Sequence, residues 1–267
     1  MVRKRGRANK ITMAKKRILL KIGSNTLTKE TDQISRGKIE DIGRQIAKLK
    51  DDYEFIIVSS GAIAAAKQFV KLEHNGQEIN VKQALAAIGQ PHLMRIFQEN
   101  FRELGLFTSQ CLLSYSDFEK SESQENIKNT INVLVANNFI PIINENDTVS
   151  TDEIQFGDND KLAALTAALL QVDLLLIATN TDGIYTKSSI ETGELKTVAN
   201  VFEIDDLKKE ISLEKSSHGT GGMQSKIDAA TIAQNATIET WIVNGLKDNF
   251  ITDALNGISN HTKISVP

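Results

Sequence analysis

The fold of this chain is decided by residues 139–178, FIPIINENDTVSTDEIQFGDNDKLAALTAALLQVDLLLIA, which contain two apolar runs and a helical pattern between them. The runs Phe139–Ile143 and Leu174–Ala178 are apolar on nearly every position, which is typical of strands buried on both faces. Residues 160–171 have the length and composition of a helix. A strand, a helix and a second strand in this order predict parallel strands joined by a crossover helix.

The same alternation extends over most of the chain. Further strands are predicted at Ile18–Ile22, Phe55–Val58, Thr108–Leu113 and Glu239–Val243. A helix is predicted after a Ser35 cap because Ile39, Ile42, Ile46 and Leu49 follow it at helical spacing. Other helices are predicted at about 81–101, 122–137, 223–236 and 249–256. The pattern favours an α/β fold with a mostly parallel, doubly wound sheet, whose ligands bind at the carboxyl ends of the strands.

The composition limits the kinds of protein that this chain can be. The 267 residues are 40% hydrophobic and 24% charged, with a formal net charge of −3, as in ordinary soluble globular proteins. No apolar run approaches the roughly 18 residues that a membrane-spanning helix needs, and no secretory signal is present. Cys111 is the only cysteine, so no internal disulfide can form. We therefore expect a cytoplasmic protein.

The N-terminus has its own charge character. Residues 1–17 contain eight Lys/Arg and no acid, whereas the rest of the chain carries 23 Lys/Arg against 34 Asp/Glu. Residues 1–14 are interpreted as a basic, disordered leader or as an upstream start, since Met13 precedes the first strand. A nucleic-acid-binding arm is the alternative, but the acidic body does not support it. We expect neither a nucleic-acid nor a membrane partner.

Two strand ends have residues suited to anions. The first strand contains Lys21, which is costly in an apolar strand unless its ammonium reaches an anion or solvent. Gly23-Ser24-Asn25 follows it as a tight turn with backbone N–H groups. The second strand ends at Ser59-Ser60-Gly61, where small residues open a helix and permit close approach of a ligand. A solvent-reaching lysine and a closely packed helix cap remain the alternatives.

The polar cluster of residues 144–149 and 156–161 is the hardest to explain structurally. Asn144, Glu145, Asn146 and Asp147 follow one strand, and Asp158-Asn159-Asp160 opens the next helix. Carboxylates suit the ammonium group of an amino-acid ligand, and amides suit its carboxylate. The same side chains could bind Ca²⁺ or Mg²⁺, although no EF-hand loop is present. Helix capping explains only one of these residues.

Two further segments have phosphate-binding character. Gly219-Thr220-Gly221-Gly222 is followed by a helix with Lys226 one turn in, which forms a phosphate cradle in principle. It does not match the spacing of a Walker A motif, and a hinge loop is the alternative. Residues 178–185, ATNTDGIY, form a polar turn at a strand end, suited to a nucleotide or to a plain β-turn.

Six segments in this order resemble the amino acid kinase family, over residues 18 to about 260. They are KIGSNTLT (21–28), VSSGAIAAA (58–66), KQALAAIGQ (82–90), PIINENDTVS (141–150), FGDNDKLAAL (156–165) and GTGGMQSK (219–226). The pair of polar segments is similar to that of the members that phosphorylate L-glutamate. The resemblance implies a three-layer α/β/α sandwich and the conversion of ATP and L-glutamate into ADP and L-glutamyl 5-phosphate, which begins proline biosynthesis.

The resemblance also implies roles for matching positions. Lys21 and Lys226 match the two lysines on the transferring phosphoryl group, and Asp160 matches the aspartate that orients them. Substrate-binding positions are matched by Ser60, Gly61, Asp147 and Asn159. ATP-binding positions are matched by Lys21, Thr179, Asn180, Thr220, Gly221, Gly222, Met223, Gln224, Ser225 and Lys226.

Partners and domain organisation follow from the same resemblance. It implies Mg²⁺ carried by the ATP phosphates without protein ligands, feedback inhibition by proline at the glutamate site, and a homodimer or homotetramer. Residues 15–267 are expected to form one kinase domain, with a glutamate-binding half at about 15–170 and an ATP-binding half at about 171–267.

Two departures from the family pattern affect these expectations. Many relatives have an acid where Asn180 stands, and many carry a further C-terminal PUA domain that is not expected here. The alternatives are a related kinase with another acceptor (acetylglutamate, aspartate or a nucleoside monophosphate) or a non-catalytic amino-acid sensor.

Overall fold

The computed structural model describes residues 14–72, 78–149, 159–205, 207 and 222–266. The strands are β1 Lys16–Ile22, β2 Tyr53–Ser59, β3 Phe107–Leu113, β4 Phe139–Glu145, β5 Leu174–Thr179, β6 Asn200–Val201, β7 Glu239–Asn244 and β8 Thr262–Ile264. The helices are α1 Ser24–Thr28, α2 Arg36–Leu49, α3 Ala62–Lys67, α4 Ile79–Glu103, α5 Ser121–Ala136, α6 Asp160–Leu170, α7 Lys187–Thr192, α8 Met223–Asn235 and α9 Phe250–Leu255.

One sheet contains all eight strands in the order β3-β4-β2-β1-β5-β7-β8-β6. Every pair is parallel except β7 and β8, which are antiparallel. The prediction of a mostly parallel sheet is confirmed, and all six predicted strands form. The strands β6 and β8 were not predicted, because they contain two and three residues and are too short for a periodic pattern.

Side chains alternate across the sheet and build two cores. On β1, Leu19 packs into the core with α5, α6 and α8, whereas Leu20 packs into the core with α2, α4 and α9. Because successive residues of a strand point to opposite faces, each face of the sheet is covered by its own helices. The predicted three-layer α/β/α sandwich is therefore confirmed.

Local signals agree with the helix boundaries. The Ser35 side chain accepts a hydrogen bond from the backbone N–H of Lys38, as expected for the cap of α2. Residues 23–25 differ from the predicted turn, because Ser24 already begins the short helix α1. None of the helices in the described ranges combines the length and apolar character needed to cross a bilayer.

The strand order places a candidate site at the middle of the sheet. On one side of β1 lie β2, β4 and β3, and on its other side lie β5 and β7, which come later in the sequence. The carboxyl ends of β1, β2, β4 and β5 consequently meet where the direction of winding reverses. Ligands of doubly wound sheets bind in the crevice at such a point.

Candidate active site

Lys21, Asp160 and Lys226 meet at this carboxyl edge. The Lys21 ammonium nitrogen lies 2.5 Å from Asp160 Oδ1, and the Lys226 nitrogen lies 3.0 Å from Asp160 Oδ2. All three side chains are buried. Together they carry one net positive charge, so the group is suited to an anion.

Each member reaches this point from a different element. Lys21 lies near the end of β1 and belongs to the same set of alternating positions as Leu19, which faces α6 and α8. Asp160 is the first residue of α6, and Lys226 is the fourth of α8. The sheet and two helices of one layer thus bring the three charges together, as the family resemblance implied.

The ionisation of Asp160 is controlled by its two cationic neighbours. Burial acts to raise the pKa of this carboxyl group, but the charges of Lys21 and Lys226 outweigh that effect and hold the pKa well below its ordinary value. The Ser225 hydroxyl also donates to Asp160 Oδ2 over 2.9 Å. The carboxylate therefore stays ionised and fixes both ammonium groups.

Asn159 connects the start of α6 to the end of β2. Its Nδ2 donates to the carbonyl oxygen of Ser59 at 3.0 Å, to Ser60 Oγ at 3.2 Å and to Asn144 Oδ1 at 2.8 Å. The amide N–H groups are thus used within the protein, and the side-chain oxygen is the remaining acceptor. The expectation that amides receive a ligand carboxylate is wrong for Asn159, whose open atom suits a donor such as an ammonium.

Gly61 shapes the turn that holds Ser60. Its φ of 104° lies in the left-handed region, which glycine adopts without the strain that a side chain would add. The turn leads directly into α3. Ser60 is buried beside Asn159 and, since its oxygen accepts from Asn159, its hydroxyl proton can serve another acceptor.

Asp147 lies two residues after the end of β4. It is 7% exposed, and its Oδ1 is buried with no hydrogen-bond partner among the described residues. Burial, and secondarily the charge of Glu145, raises the pKa of Asp147 to about 7. A cation bound here would reverse that shift, so the carboxyl group is suited to an ammonium ligand.

The predicted nucleotide residues other than Lys21 lie at the end of β5 and at the start of α8. Thr179 ends β5, and its carbonyl accepts from the Gly245 N–H at 2.7 Å. Asn180 is exposed and donates to Glu30 at 3.1 Å. Gly222 is the residue before α8, and Gln224 donates to Asp228 along that helix at 2.8 Å. Of the predicted nucleotide residues in the described ranges, Lys21, Ser225 and Lys226 contact Asp160.

Some predicted residues lie outside the described ranges. Thr220, Gly221 and the first residue of the Asp158-Asn159-Asp160 run belong to this group. Their assignments stay predictions.

Gln90 was not predicted from the sequence, although it has an evident position in the site. Gln90 accepts a hydrogen bond from Asn144 Nδ2 at 2.9 Å, and Asn144 in turn contacts Asn159. Gln90 ends the segment KQALAAIGQ, which matched the family but had no physical role assigned. A polar residue in an otherwise apolar stretch was the available signal.

Residues 16–244 match the family described as the amino acid kinase family. Over 249 residues the chain is 40% identical to a glutamate 5-kinase of Alkaliphilus metalliredigens, and the match covers 92% of this chain and 94% of that one. It is 41% identical to a glutamate 5-kinase of a Thermoanaerobacter species over 243 residues, which cover 90% of this chain and 65% of the relative. The chain therefore spans nearly all of one relative and about two thirds of the other.

Two solved structures share the fold. A UMP kinase from Ureaplasma parvum superimposes with a TM-score of 0.63 at 20% identity, covering 95% of this chain and 100% of that one. A carbamate kinase from Giardia lamblia, bound to AMP-PNP, superimposes with a TM-score of 0.66 at 18% identity, covering 95% of this chain and 99% of that one. At these identities the likeness concerns the fold alone.

Proposed function

The chain belongs to the amino acid kinase family, and we propose that it transfers the γ-phosphoryl group of ATP to the side-chain carboxylate of L-glutamate. The products are ADP and L-glutamyl 5-phosphate, the first intermediate of proline biosynthesis. The observation that carries the proposal is the buried arrangement of Lys21, Asp160 and Lys226 at the switch point of the sheet. Relatives at about 40% identity over most of the chain, named glutamate 5-kinase, support glutamate as the acceptor.

The chemistry requires positioning and charge stabilisation rather than a protein nucleophile. An oxygen of the glutamate side-chain carboxylate attacks the γ-phosphorus. A new O–P bond forms while the bond to the β–γ bridging oxygen breaks, and ADP leaves with that electron pair. No general base is needed because the carboxylate is ionised near neutral pH.

The two lysines supply the electrostatic stabilisation. Each ammonium has three N–H donors, so a lysine held by Asp160 can also donate to an oxygen of the transferring group. Because Asp160 is ionised and buried, it holds both cations in place before the reaction. Such preorganised donors lower the barrier without reorganisation during the reaction.

Mg²⁺ belongs to the proposal as a companion of ATP. The buried Asp160 carboxylate is already bound by two ammonium groups, so the residues fit a metal carried by the phosphates better than one held by this carboxylate. The ion would neutralise phosphate charge. The residues proposed to hold the nucleotide are Lys21, Thr179, Asn180 and the segment 220–226.

Glutamate is proposed to bind between Ser60, Gly61, Asp147 and Asn159. The Ser60 hydroxyl can donate to a carboxylate, whereas Asp147 and Asn159 present buried acceptors for the ammonium group. Proline has the same two groups, which supports the proposal that it inhibits at this site. A reducing cytoplasm, compatible with one cysteine, and a homodimer or homotetramer complete the proposal.

Trapping of the acyl phosphate tests the reaction directly. Wild-type protein with glutamate, ATP, Mg²⁺ and hydroxylamine should form the glutamyl hydroxamate, and omission of ATP should abolish it. A separate assay of ADP release with acetylglutamate, aspartate and a nucleoside monophosphate tests the other acceptors. Turnover with one of these and not with glutamate would refute the proposal, as would calorimetric binding of glutamate with no turnover of ATP.

A further inference from the structure

A chain of four side-chain amides runs from the candidate site to the surface. Asn159 Nδ2 donates to Asn144 Oδ1 at 2.8 Å, Asn144 Nδ2 donates to Gln90 Oε1 at 2.9 Å, and Gln90 Nε2 donates to Gln110 Oε1 at 3.3 Å. The first three amides are buried, and Gln110 on the edge strand β3 is exposed. The chain therefore links α6, β4, α4 and β3.

Backbone groups determine the direction of this chain. The atom of Asn159 that faces the Ser59 carbonyl must be a nitrogen, because a carbonyl can only accept. The atom of Asn144 that faces the Glu145 N–H must be an oxygen, because that group can only donate. The remaining Asn144 atom is then a donor, and Gln90 must meet it with its oxygen. The orientation of each amide follows from hydrogen-bond chemistry alone.

Gln90 is the residue on which the inner part of the chain depends. If Gln90 is made apolar, Asn144 Nδ2 loses its acceptor. Because Asn144 is only 1% exposed, water does not replace that acceptor. A buried donor without a partner is unfavourable, and a rotation of Asn144 would relieve it. That rotation would withdraw Asn144 Oδ1 from Asn159.

The open end of the chain points to an ammonium ligand. Asn159 Oδ1 and Asp147 Oδ1 are both buried acceptors without a partner among the described residues. Gln90, Gln110 and Asp147 also line one cavity of about 200 Å³ between α4, β3 and the end of β4. The amide chain thus forms part of the wall beside the acidic residue.

We propose that Gln90 is a positioning residue for substrate selection: through Asn144 it holds Asn159 with its oxygen available to the α-ammonium group of the amino-acid substrate. Gln90 acts through the other amides rather than by contact with the reacting atoms. The inference rests on the proposed function, since it specifies how the same site selects an α-amino acid.

The test compares glutamate with glutarate, which has both carboxylates and no amino group. In Gln90→Met, the ratio of kcat/KM for glutamate to kcat/KM for glutarate should fall about tenfold, the effect of losing one hydrogen bond to a charged group. The loss should lie in KM for glutamate, with KM for ATP unchanged. A purely structural defect would lower kcat/KM equally for both substrates and leave the ratio at its wild-type value. That result would overturn the inference.

Gln98→Met is the matched control. It makes the same chemical change on the same helix α4, but Gln98 is exposed and lies outside the amide chain and the cavity, so the ratio should stay at the wild-type value. An equal fall of the ratio in both variants would overturn the role of Gln90. If Gln90→Met does not fold, Gln90→Ala admits water to the cavity and should shift the ratio in the same direction, to a smaller extent; an unchanged ratio there would equally overturn it.

The wild-type measurements separate this inference from the proposed function. Absence of glutamate phosphorylation in the wild type would refute the function itself. Equal use of glutamate and glutarate by the wild type would leave the function standing and overturn the selection of the ammonium group.

Discussion

Lys21 and Lys226 lie on the first strand and a late helix, and their ammonium nitrogens contact the two different oxygens of the Asp160 carboxylate. Neither lysine could be held in this buried position without that shared counter-charge. The relationship makes the aspartate a structural centre as well as a part of the proposed phosphoryl-transfer site.

Replacement of Lys226 should affect the chemical step. Lys226→Ala should lower kcat by roughly 10²–10³, the usual cost of removing one donor to a developing charge. Lys161→Ala is the matched control, because Lys161 is next to Asp160 in sequence but places its ammonium over the Tyr115 ring. Steady-state kinetics at saturating ATP and glutamate measure kcat for both variants. A Lys226→Ala kcat within threefold of the wild type would remove this lysine from the mechanism.

Replacement of Asp160 should affect stability and catalysis together. Asp160→Asn leaves two buried ammonium groups facing a neutral amide, and breaking a buried ion pair costs about 3–5 kcal/mol. We expect a lower free energy of unfolding and a reduced kcat. Asp228→Asn, on the exposed face of α8, should change neither. Denaturant unfolding followed by circular dichroism is the measurement; equal stability of Asp160→Asn and the wild type would contradict the proposed ion-pair group.

The affinity for glutamate should depend on pH through Asp147. Its pKa is raised to about 7, so the carboxyl group becomes neutral as pH falls through that value and loses its attraction for an ammonium group. KM for glutamate should rise below pH 7, approaching about tenfold per pH unit, while KM for ATP stays level. Asp147→Asn should raise KM and flatten its profile. A flat wild-type profile between pH 6 and 8 would exclude Asp147 as the ammonium partner.

The same carboxyl group should lower stability in alkaline solution. Because its folded-state pKa lies above the ordinary value of 3.8, its contribution to stability is present at acid pH and is lost as pH rises through about 7. Asp147→Asn should therefore have a higher Tm than the wild type at pH 8, and the difference should shrink towards pH 4. Calorimetry at several pH values would measure this, and a lower Tm for the variant at pH 8 would contradict it.

Close packing of α4 against α3 should support the Ser60–Gly61 turn. A Cβ atom at Gly89 would lie 1.8 Å from the carbonyl oxygen of Ala62, so Gly89→Ala must displace one helix. We expect a loss of about 1–3 kcal/mol in stability and a higher KM for glutamate. Gly37→Ala, where a Cβ meets no atom within 4 Å, should instead stabilise by about 0.5–1 kcal/mol. Equal melting temperatures for the two variants would contradict the expected clash.

Much of the fold was predictable because its signals are local. The apolar runs of β1, β2, β4 and β5 and the Ser35 cap are readable from neighbouring residues. The short strands β6 and β8 were not predictable, since two or three residues carry no period. The helix at Ser24 was missed because Gly-Ser-Asn is equally typical of a turn.

The candidate site was predictable in its membership and not in its geometry. Lys21, Asp160 and Lys226 came from matching motifs, and the structure brings them together. The hydrogen bonds of the Asn159 side chain were not predictable, because an amide can donate or accept and its partners lie on β2 and β4. Gln90 was missed for the same reason, since its partner lies on another element.

By itself the sequence determined the alternation of strands and helices and the chemical types of the residues at strand ends, because both depend on side-chain character along a continuous segment. Only the tertiary structure decided which oxygen of the Asp160 carboxylate contacts each lysine and that Asn159 presents its oxygen. Those outcomes depend on which groups meet across the sheet, where burial makes each hydrogen bond and each charge require a specific partner.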